Sequence, residues 1–314
     1  MDTEEKIFII GNRELVALAL EKNLKNRGYK NVVILGDDRL NLKDGKAVAD
    51  FFSKEKPDYI FLPSYKSGSI QANIKYPAEF IYENIAVQNN VIHNAYLSKV
   101  KKLIFLGASC IYPKNALQPI KEEYLMTGEV EATNQAYSVA KIAGIKMCRA
   151  YNKQYGTKFI SIIPATIYGP NDHFDLENSH VLSALIRKFH EAKIKDQSEV
   201  VLWGSGKPRR EFLYIDDLTE ACVFLMNGNF NADLINIGSG EDFEIRELAE
   251  KVKNIVGFNG KIIWDISKSD GAMKKLLDSD RIKNLGWRHK IELDDGLKKT
   301  YQWFIDNIEK FNKE

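Results

Sequence analysis

The first half of the chain alternates short apolar runs with longer amphipathic segments. The apolar runs, each about the length of one strand, are residues 6–11, 32–35, 59–62, 103–107 and 159–163. Segments 14–25, 46–54 and 78–97 lie between or after the first three runs and carry apolar residues at helical spacing. Strands that alternate with helices are typical of a parallel sheet wound on both sides, so this pattern predicts a doubly wound α/β fold.

The pattern is less regular beyond about residue 171. A helix is predicted from Asp216, as its cap, to Met226. Further strand and helix patterns occur at residues 179–192, 211–215, 234–237, 245–256, 262–264, 273–285 and 293–305. We therefore expect residues 1–171 to form the core and residues 172–314 to form mainly a smaller α/β part. Segments at about 211–237 are expected to return to the core.

Tyr137 and Lys141 are the clearest candidates for chemistry. Thr133 or Asn134 can cap a helix start just before them, and residues four apart share one helix face. An ammonium beside a phenol favours the phenolate, so Lys141 is expected to lower the pKa of Tyr137. A phenol poised in this way can pass a proton to or from a carbonyl or alcohol oxygen. The alternative is a half-exposed helix pair without function.

Gly11 ends the first strand at a helix start, where a Rossmann-type fold binds a dinucleotide pyrophosphate. The expected glycine pattern retains only Gly11, and Glu14 occupies the next glycine position. After the second strand, Asp37 and Asp38 favour NAD, whereas Arg13 and Arg39 could meet the 2′-phosphate of NADP. The alternative is that all four are solvated loop residues.

The composition excludes several classes of partner. The 314 residues carry 45 basic and 43 acidic side chains, a net charge of +2 without a dominant basic cluster, so nucleic acid is not an expected partner. No apolar run approaches the length of a membrane span, and no signal peptide is predicted. The three widely spaced cysteines fit a reducing cytoplasm and give no metal pattern. Residues 203–210 are rich in Gly and Arg and could hold phosphates or form a plain surface turn.

Several ordered stretches together resemble the extended short-chain dehydrogenases that act on nucleotide sugars, and most closely the GDP-L-fucose synthases. They are residues 107–113, 137–146, 168–170, 178–181, 203–210 and 268–271. The resemblance runs from about residue 6 to residue 308. It implies NADPH-dependent reduction at C4 of a GDP-4-keto sugar, a hexose or a heptose, with 3,5-epimerisation here or in a partner enzyme. It also implies a homodimer.

The resemblance assigns roles to individual residues. Tyr137 would protonate the C4 oxygen, Lys141 would hold the nicotinamide ribose, and Cys110 and His180 would exchange protons beside the ketone. The residues implied to bind the cofactor, NADP(H) or alternatively NAD(H), are Gly11, Asn12, Arg13, Leu15, Val16, Asp37, Arg39, Leu106, Gly107, Ala108, Tyr137, Lys141, Pro164, Ile167 and His180. Those implied to bind the GDP-sugar are Lys188, Trp203, Arg210 and Asp270.

Three positions depart from the family pattern. Ala108 stands where the family has a catalytic serine, Glu14 stands at a glycine, and residues 63–65 replace small alanines beside the cofactor. By strand alternation, the neighbouring Ser109 should point elsewhere. These departures leave open a degenerate dehydrogenase that binds a dinucleotide or nucleotide sugar without chemistry. Cys110 and Ile111 argue against the related 4,6-dehydratases, which need an acid there.

Overall fold

Strands and helices alternate from residue 7 to residue 164 of the computed structural model, which describes residues 1–175, 179–230, 232–268 and 270–311. Asn178 and Ser269, each part of a motif quoted above, lie outside the described residues. In chain order the elements of this half are β1 (Ile7–Ile10), α1 (Leu15–Asn26), β2 (Val32–Leu35), α2 (Gly45–Glu55), β3 (Tyr59–Leu62), α3 (Ile70–Lys75), α4 (Pro77–Leu97), β4 (Lys102–Leu106), α5 (Gln135–Tyr155) and β5 (Phe159–Pro164).

The second half continues with seven strands and five further helices among the described residues. In chain order its elements are β6 (Thr166–Tyr168), α6 (Val181–Ile194), β7 (Glu199–Trp203), β8 (Arg209–Tyr214), α7 (Ile215–Asn227), β9 (Leu234–Ile237), β10 (Asp242–Glu244), α8 (Ile245–Val256), β11 (Lys261–Asp265), β12 (Lys274–Lys275), α9 (Asp280–Asn284) and α10 (Leu293–Asp306). None of the helices in the described part is long and apolar enough to cross a membrane.

The central sheet has six strands in the order β2-β1-β3-β4-β5-β9, all of them parallel. The strands are almost wholly buried, because helices cover both faces of the sheet. The predicted doubly wound α/β fold is confirmed. Strands β2 and β3 lie on opposite sides of β1 in the sheet, so the strand order reverses there. A crevice therefore forms at the carboxyl ends of β1 and β3, where such sheets bind ligands.

Smaller strand groups lie outside the main sheet. Strand β8 pairs with β10, β12 and β6, and β7 pairs with β11. In the β8–β12 pair, Arg210 lies opposite Lys275. This pairing brings residues that are 65 positions apart in the sequence to one place beside the main sheet.

The expected cap of helix α7 is wrong. The helix begins at Ile215, so Asp216 lies within its first turn and Tyr214 is the cap residue. Strand β8 runs straight into this helix without a loop, which leaves no room for a separate capping residue. The neighbouring Asp217 is buried and accepts hydrogen bonds from the backbone N–H groups of Lys290 and Ile291 at 3.0 Å.

A buried polar network fixes the long segment that follows β4. Tyr112 Oη donates to Asn236 Oδ1 at 2.6 Å, and Asn236 Nδ2 donates to the Ile120 carbonyl at 2.9 Å. The Asn236 N–H in turn donates to the carboxylate of Glu122 at 2.9 Å. Each of these groups finds a partner inside the protein, so burial costs little and the segment is held in one conformation.

Candidate active site

Helix α5 lies very close to the sheet and to α4, and Gly144 permits this approach. A Cβ atom at position 144 would lie 2.4 Å from Cζ of Phe105 and 2.8 Å from Oε1 of Gln88. The same side of the helix carries Tyr137 and Lys141, which are 9% and 1% exposed. The close packing therefore takes two ionisable groups into the interior, where their surroundings set their chemistry.

Tyr137 is held by one polar and one aromatic neighbour. Its hydroxyl lies 2.7 Å from Oγ of Ser64, and its ring meets the Phe80 ring edge-on with centroids 6.1 Å apart. Burial raises the pKa of Tyr137, while the Ser64 hydrogen bond opposes the shift. The expected lowering of this pKa by Lys141 is wrong, because loss of hydration on burial has the largest effect on the phenol and it raises the pKa. The phenol is therefore protonated at neutral pH, which is the form that donates a proton.

Lys141 lies in a largely apolar pocket. Its Nζ is 4.3 Å from the centroid of the Phe105 ring, a cation–π distance. Burial lowers the pKa of Lys141 to about 7, and the thiols of Cys110 and Cys148 oppose the shift. Neutral and charged forms of this amine are therefore close in free energy near neutral pH, so small changes in its surroundings shift the balance.

Cys110 lies in a 3-10 turn, Ser109–Ile111, directly after Ala108. The expectation that strand alternation orients Ser109 is wrong, because β4 already ends at Leu106. Ser138, from the first turn of α5, donates its hydroxyl to the Cys110 carbonyl at 3.0 Å and ties the turn to the helix. Burial raises the pKa of the Cys110 thiol, and the charge of Lys275 opposes that shift.

His180 is exposed at the N-terminal cap of α6. The nearby carboxylate of Asp172 is 6% exposed and accepts hydrogen bonds from Ser183 Oγ at 2.5 Å and from the His173 N–H at 2.8 Å. Burial raises the pKa of Asp172, while Ser183 and the charge of His180 oppose the shift. Cys110 and His180 thus lie on separate segments, each fixed by its own hydrogen bonds.

The residues implied to hold the cofactor lie near the carboxyl ends of the parallel strands. Gly11 follows β1, Asp37 follows β2, Leu106 ends β4 and Pro164 ends β5. Helix α1 has no side-chain cap at Glu14, so its first N–H groups are not satisfied by that residue. An uncapped helix start beside a buried glycine fits a pyrophosphate. The remaining members of the implied set on these strand ends and helix starts are Asn12, Arg13, Leu15, Val16, Arg39, Gly107 and Ala108. Ile167 lies in the middle of β6, outside the main sheet.

The charged residues around this crevice have protein partners. The carboxylate of Glu14 is 3.7 Å from Nε2 of His173, an ion-pair distance, and its interaction with the imidazole raises the pKa of His173. Protonated His173 offsets the negative charge that Glu14 brings to the phosphate position. Arg13 pairs with Glu21 at 3.1 Å, and Arg39 donates to the Ile34 carbonyl at 3.3 Å. The two arginines retain further donors that can meet a phosphate.

The residues implied to hold the nucleotide sugar meet around the loop that follows β7. The indole ring of Trp203 is 61% exposed, and Nζ of Lys188 and of Lys268 each lie 5.7 Å from its centroid. Asp270 accepts hydrogen bonds from both the N–H and the hydroxyl of Ser205, at 2.6 and 2.7 Å. Asp270 therefore shapes this loop. Arg210 is half-buried close to Gly271, and burial lowers its pKa.

Two residues that interact with the candidate site residues were not predicted from the sequence. Ser64 belongs to a loop noted only for lacking alanines, and no local pattern indicates that it reaches Tyr137. Lys275 interacts electrostatically with both Cys110 and Arg210. The pairing of β12 with β8 brings Lys275 to this position, and that pairing cannot be predicted from the local sequence. Among the described residues, no group of three or more His, Cys, Asp and Glu side chains is placed to hold a metal ion.

The NAD dependent epimerase/dehydratase family model matches residues 7–238. The chain belongs to this family. Among its relatives, GDP-L-fucose synthase 1 of Arabidopsis thaliana is 52% identical over 98% of this chain and 95% of its own. The GDP-L-fucose synthase of Escherichia coli K12 is 46% identical over 98% of this chain and 99% of its own. The resemblance to GDP-L-fucose synthases found in the sequence is confirmed.

A solved structure in the same family has the same fold along nearly the whole chain. The GDP-mannoheptose C4 reductase of Campylobacter jejuni, solved with NADP bound, is 40% identical, with a TM-score of 0.89. The similarity covers 97% of this chain and 99% of that one. The family thus contains relatives of this chain named for both hexose and heptose products or substrates.

Lys141→Met is expected to raise the free energy of unfolding near pH 7 by up to about 4 kcal/mol, the upper end of the range for replacing a buried ion pair by well-packed apolar residues. The folded-state pKa of Lys141 is about 7, below an unfolded value of about 10.4. The unfolded chain binds more protons between these pH values, so wild-type stability rises with pH across that window. The gain from Lys141→Met should therefore shrink at pH 10, as measured by urea unfolding at both pH values.

The matched control for this experiment is Lys146→Met, at an exposed position on the same helix. It should leave the free energy of unfolding almost unchanged at both pH values. A loss of stability in Lys141→Met at pH 7 and pH 10 alike would contradict the prediction, because a loss that does not depend on pH would mean that burial does not lower the pKa of Lys141.

Proposed function

We propose that this protein reduces the C4 ketone of a GDP-4-keto sugar with NADPH. The observation that carries the proposal is the protonated phenol of Tyr137, buried beside Lys141 and Cys110 near the carboxyl edge of the sheet. A buried phenol that keeps its proton is a suitable general acid for a ketone that gains a hydride. The relatives named GDP-L-fucose synthase and GDP-mannoheptose C4 reductase support the same substrate class.

The described residues fit the cofactor. The start of α1 would hold the pyrophosphate, and Lys141 would hold the nicotinamide ribose. NADPH, when bound, supplies the hydride that goes to C4. Tyr137 donates its proton to the C4 oxygen, and the ammonium form of Lys141 stabilises the phenolate that remains. The relative solved with NADP supports NADP(H) as the cofactor, and Arg13 and Arg39 are the candidates to meet its 2′-phosphate.

Epimerisation at C3 and C5 is a finer part of the proposal. Cys110 and His180 would remove and return protons beside the ketone, and the ketone makes this feasible because it stabilises the enolate. The charge of Lys275 favours the thiolate of Cys110, which is the form that abstracts a proton. The diphosphate would meet Arg210 and Lys188, with Trp203 close to Lys188.

We propose a role for each of the two parts of the chain and a cellular compartment for the protein. Residues 1–171 bind the dinucleotide, and residues 172–314 mainly bind the nucleotide sugar. The three cysteines, all of them free, support a reducing compartment such as the cytoplasm.

The deciding experiment is incubation with enzymatically made GDP-4-keto-6-deoxyhexose and GDP-4-keto-heptose plus NADPH, with products identified by NMR. Binding of NADPH and GDP without turnover of any such sugar would favour the non-catalytic alternative.

Tyr137→Phe should reduce the rate of NADPH-dependent reduction by about 10²-fold or more, the usual scale for the loss of a general acid. The phenylalanine keeps the ring contact with Phe80 but has no proton to give. The GDP-sugar should still bind with wild-type affinity, as measured by calorimetry. Tyr29→Phe, which removes a hydroxyl from another buried tyrosine, is the control. Near wild-type turnover of Tyr137→Phe would refute the assignment.

Cys110→Ser or His180→Gln should stop deuterium from entering C3 and C5 of the sugar in heavy water, because each removes one of the two proton carriers. NMR of the recovered sugar measures the exchange. Tyr137→Phe should retain it, since exchange at these carbons does not need reduction at C4. Wild-type protein that exchanges no deuterium on either sugar would show that this chain only reduces.

We also propose a homodimer, formed through the outer surface of α4 and α5. Aromatic rings from both helices gather there, and Tyr155 stacks on Tyr96 with centroids 4.2 Å apart while remaining 47% exposed. Leu97 beside them is 57% exposed. Light scattering should give about twice the chain mass of 35.9 kDa, and Tyr155→Glu should lower it by placing charge in the interface. A monomeric wild type would contradict this proposal.

A further inference from the structure

Tyr137 shares a hydrogen bond with a loop that the family resemblance does not assign to catalysis. Ser64, in the loop after β3, places Oγ 2.7 Å from Oη of Tyr137. Position 108, where related enzymes carry a hydroxyl, has only the methyl group of Ala108. Two other hydroxyls in this region already have partners: Ser138 donates to the Cys110 carbonyl, and Tyr112 donates to Asn236.

The loop that carries Ser64 is held on both sides. Asn84 of α4, 3% exposed, accepts from the Lys66 N–H at 3.2 Å and donates to the Lys66 carbonyl at 3.0 Å. Between Ser64 and Lys66, the hydroxyl of Tyr65 donates to the carboxylate of Asp37. These contacts fix the backbone around Ser64, so its hydroxyl is already in place before any reaction begins.

The direction of the Ser64 hydrogen bond during catalysis follows from the donors available. A phenol has a single O–H, and in reduction that proton must point at the C4 oxygen. Tyr137 can then only accept from Ser64. As the proton leaves, negative charge develops on the phenol oxygen, and a donor already aimed at that atom is strengthened by the charge. The Ser64 hydrogen bond also opposes the rise of the Tyr137 pKa that burial causes.

We propose that Ser64 is a positioning residue for the reduction, and that its hydroxyl donates to the phenolate forming on Tyr137 while the phenol proton moves to the C4 oxygen. It thereby supplies stabilisation that position 108 lacks. The inference rests on the proposed function. In the step, the hydride from NADPH would form a C–H bond at C4 as the C=O π bond breaks, which leaves NADP⁺. The Tyr137 O–H bond breaks and an O–H bond forms on the C4 oxygen. Ser64 keeps its own proton and acts through Tyr137.

The kinetic test is a double-mutant cycle between positions 64 and 108. Ser64→Ala should lower kcat by about 10- to 10²-fold, the scale of one hydrogen bond to a charged group, with little change in KM. Ala108→Ser should change wild-type kcat by less than about tenfold, well under the effect of one lost oxyanion donor. The same Ala108→Ser change should recover most of the loss in a Ser64→Ala background.

Two variants serve as controls. Ser64→Thr, which keeps the hydroxyl, should retain kcat, and Ser67→Ala, at an exposed position on the same loop, is the matched control.

A second measurement does not depend on the sugar. Protein containing 3-fluorotyrosine is titrated by ¹⁹F NMR with NADP⁺ bound, and the Tyr137 resonance is assigned by its loss in Tyr137→Phe. Ser64→Ala should move this resonance and shift its titration to higher pH, because a donor to the phenolate is lost. Ser67→Ala and Ser64→Thr should match the wild type.

The outcomes separate the two proposals. A wild-type Tyr137 resonance in Ser64→Ala, or a kcat within twofold of wild type, would overturn the role of Ser64. A kcat loss that neither Ser64→Thr nor Ala108→Ser relieves would also overturn it, because the loss would then be structural. A shifted resonance in a protein that reduces no GDP-4-keto sugar would support the Ser64–phenolate hydrogen bond and refute the proposed reaction instead.

Discussion

The close approach of α5 to the sheet is the constraint on which the rest of the site depends. Gly144 has no side chain, so Phe105 and Gln88 can lie where a Cβ would otherwise stand. The Gln88 amide then donates to the Ala140 carbonyl at 2.7 Å and fixes the helix against α4. A larger residue would push α5 outward, and Tyr137 and Lys141 would move towards water. Their shifted pKa values follow from this packing more than from their spacing along the helix.

Burial changes the reactivity that each candidate residue would have in water. Burial raises the pKa values of the Tyr137 phenol and the Cys110 thiol, and it lowers the pKa of the Lys141 amine to about 7. All three shifts disfavour charge, as expected for a site with little water. Charge must therefore come from the ligands or from the groups around them, and Lys275 is the charged group with the largest electrostatic effect on Cys110. A site of this kind favours reactions in which charge develops only on the way to the transition state.

At the end of the crevice proposed to bind the cofactor, a contact from a distant segment offsets the negative charge of Glu14. Glu14 stands where a glycine is expected, but His173, from the loop after β6, lies against its carboxylate. That loop also carries Asp172, whose carboxylate interacts electrostatically with His180, a proposed proton carrier. The sequence alone makes Glu14 look incompatible with a dinucleotide. The fold offsets its charge whenever His173 is protonated.

The sequence by itself determined the doubly wound α/β fold, because strand length and helical periodicity are local properties that survive without neighbours. It also made Tyr137, Lys141, Cys110 and His180 the candidate site residues, since ordered motifs carry those positions. It misjudged the cap of α7 and the acidity of Tyr137.

Only the tertiary structure brought Ser64 to the phenol, His173 to Glu14 and Lys275 to Cys110, because each contact joins segments that are distant in the chain. The same reason explains the pKa of Tyr137: spacing places an ammonium on the same helix face, but loss of water around the buried ring decides the sign of the shift. Local patterns predict which residues take part, and packing decides what charge each of them can carry.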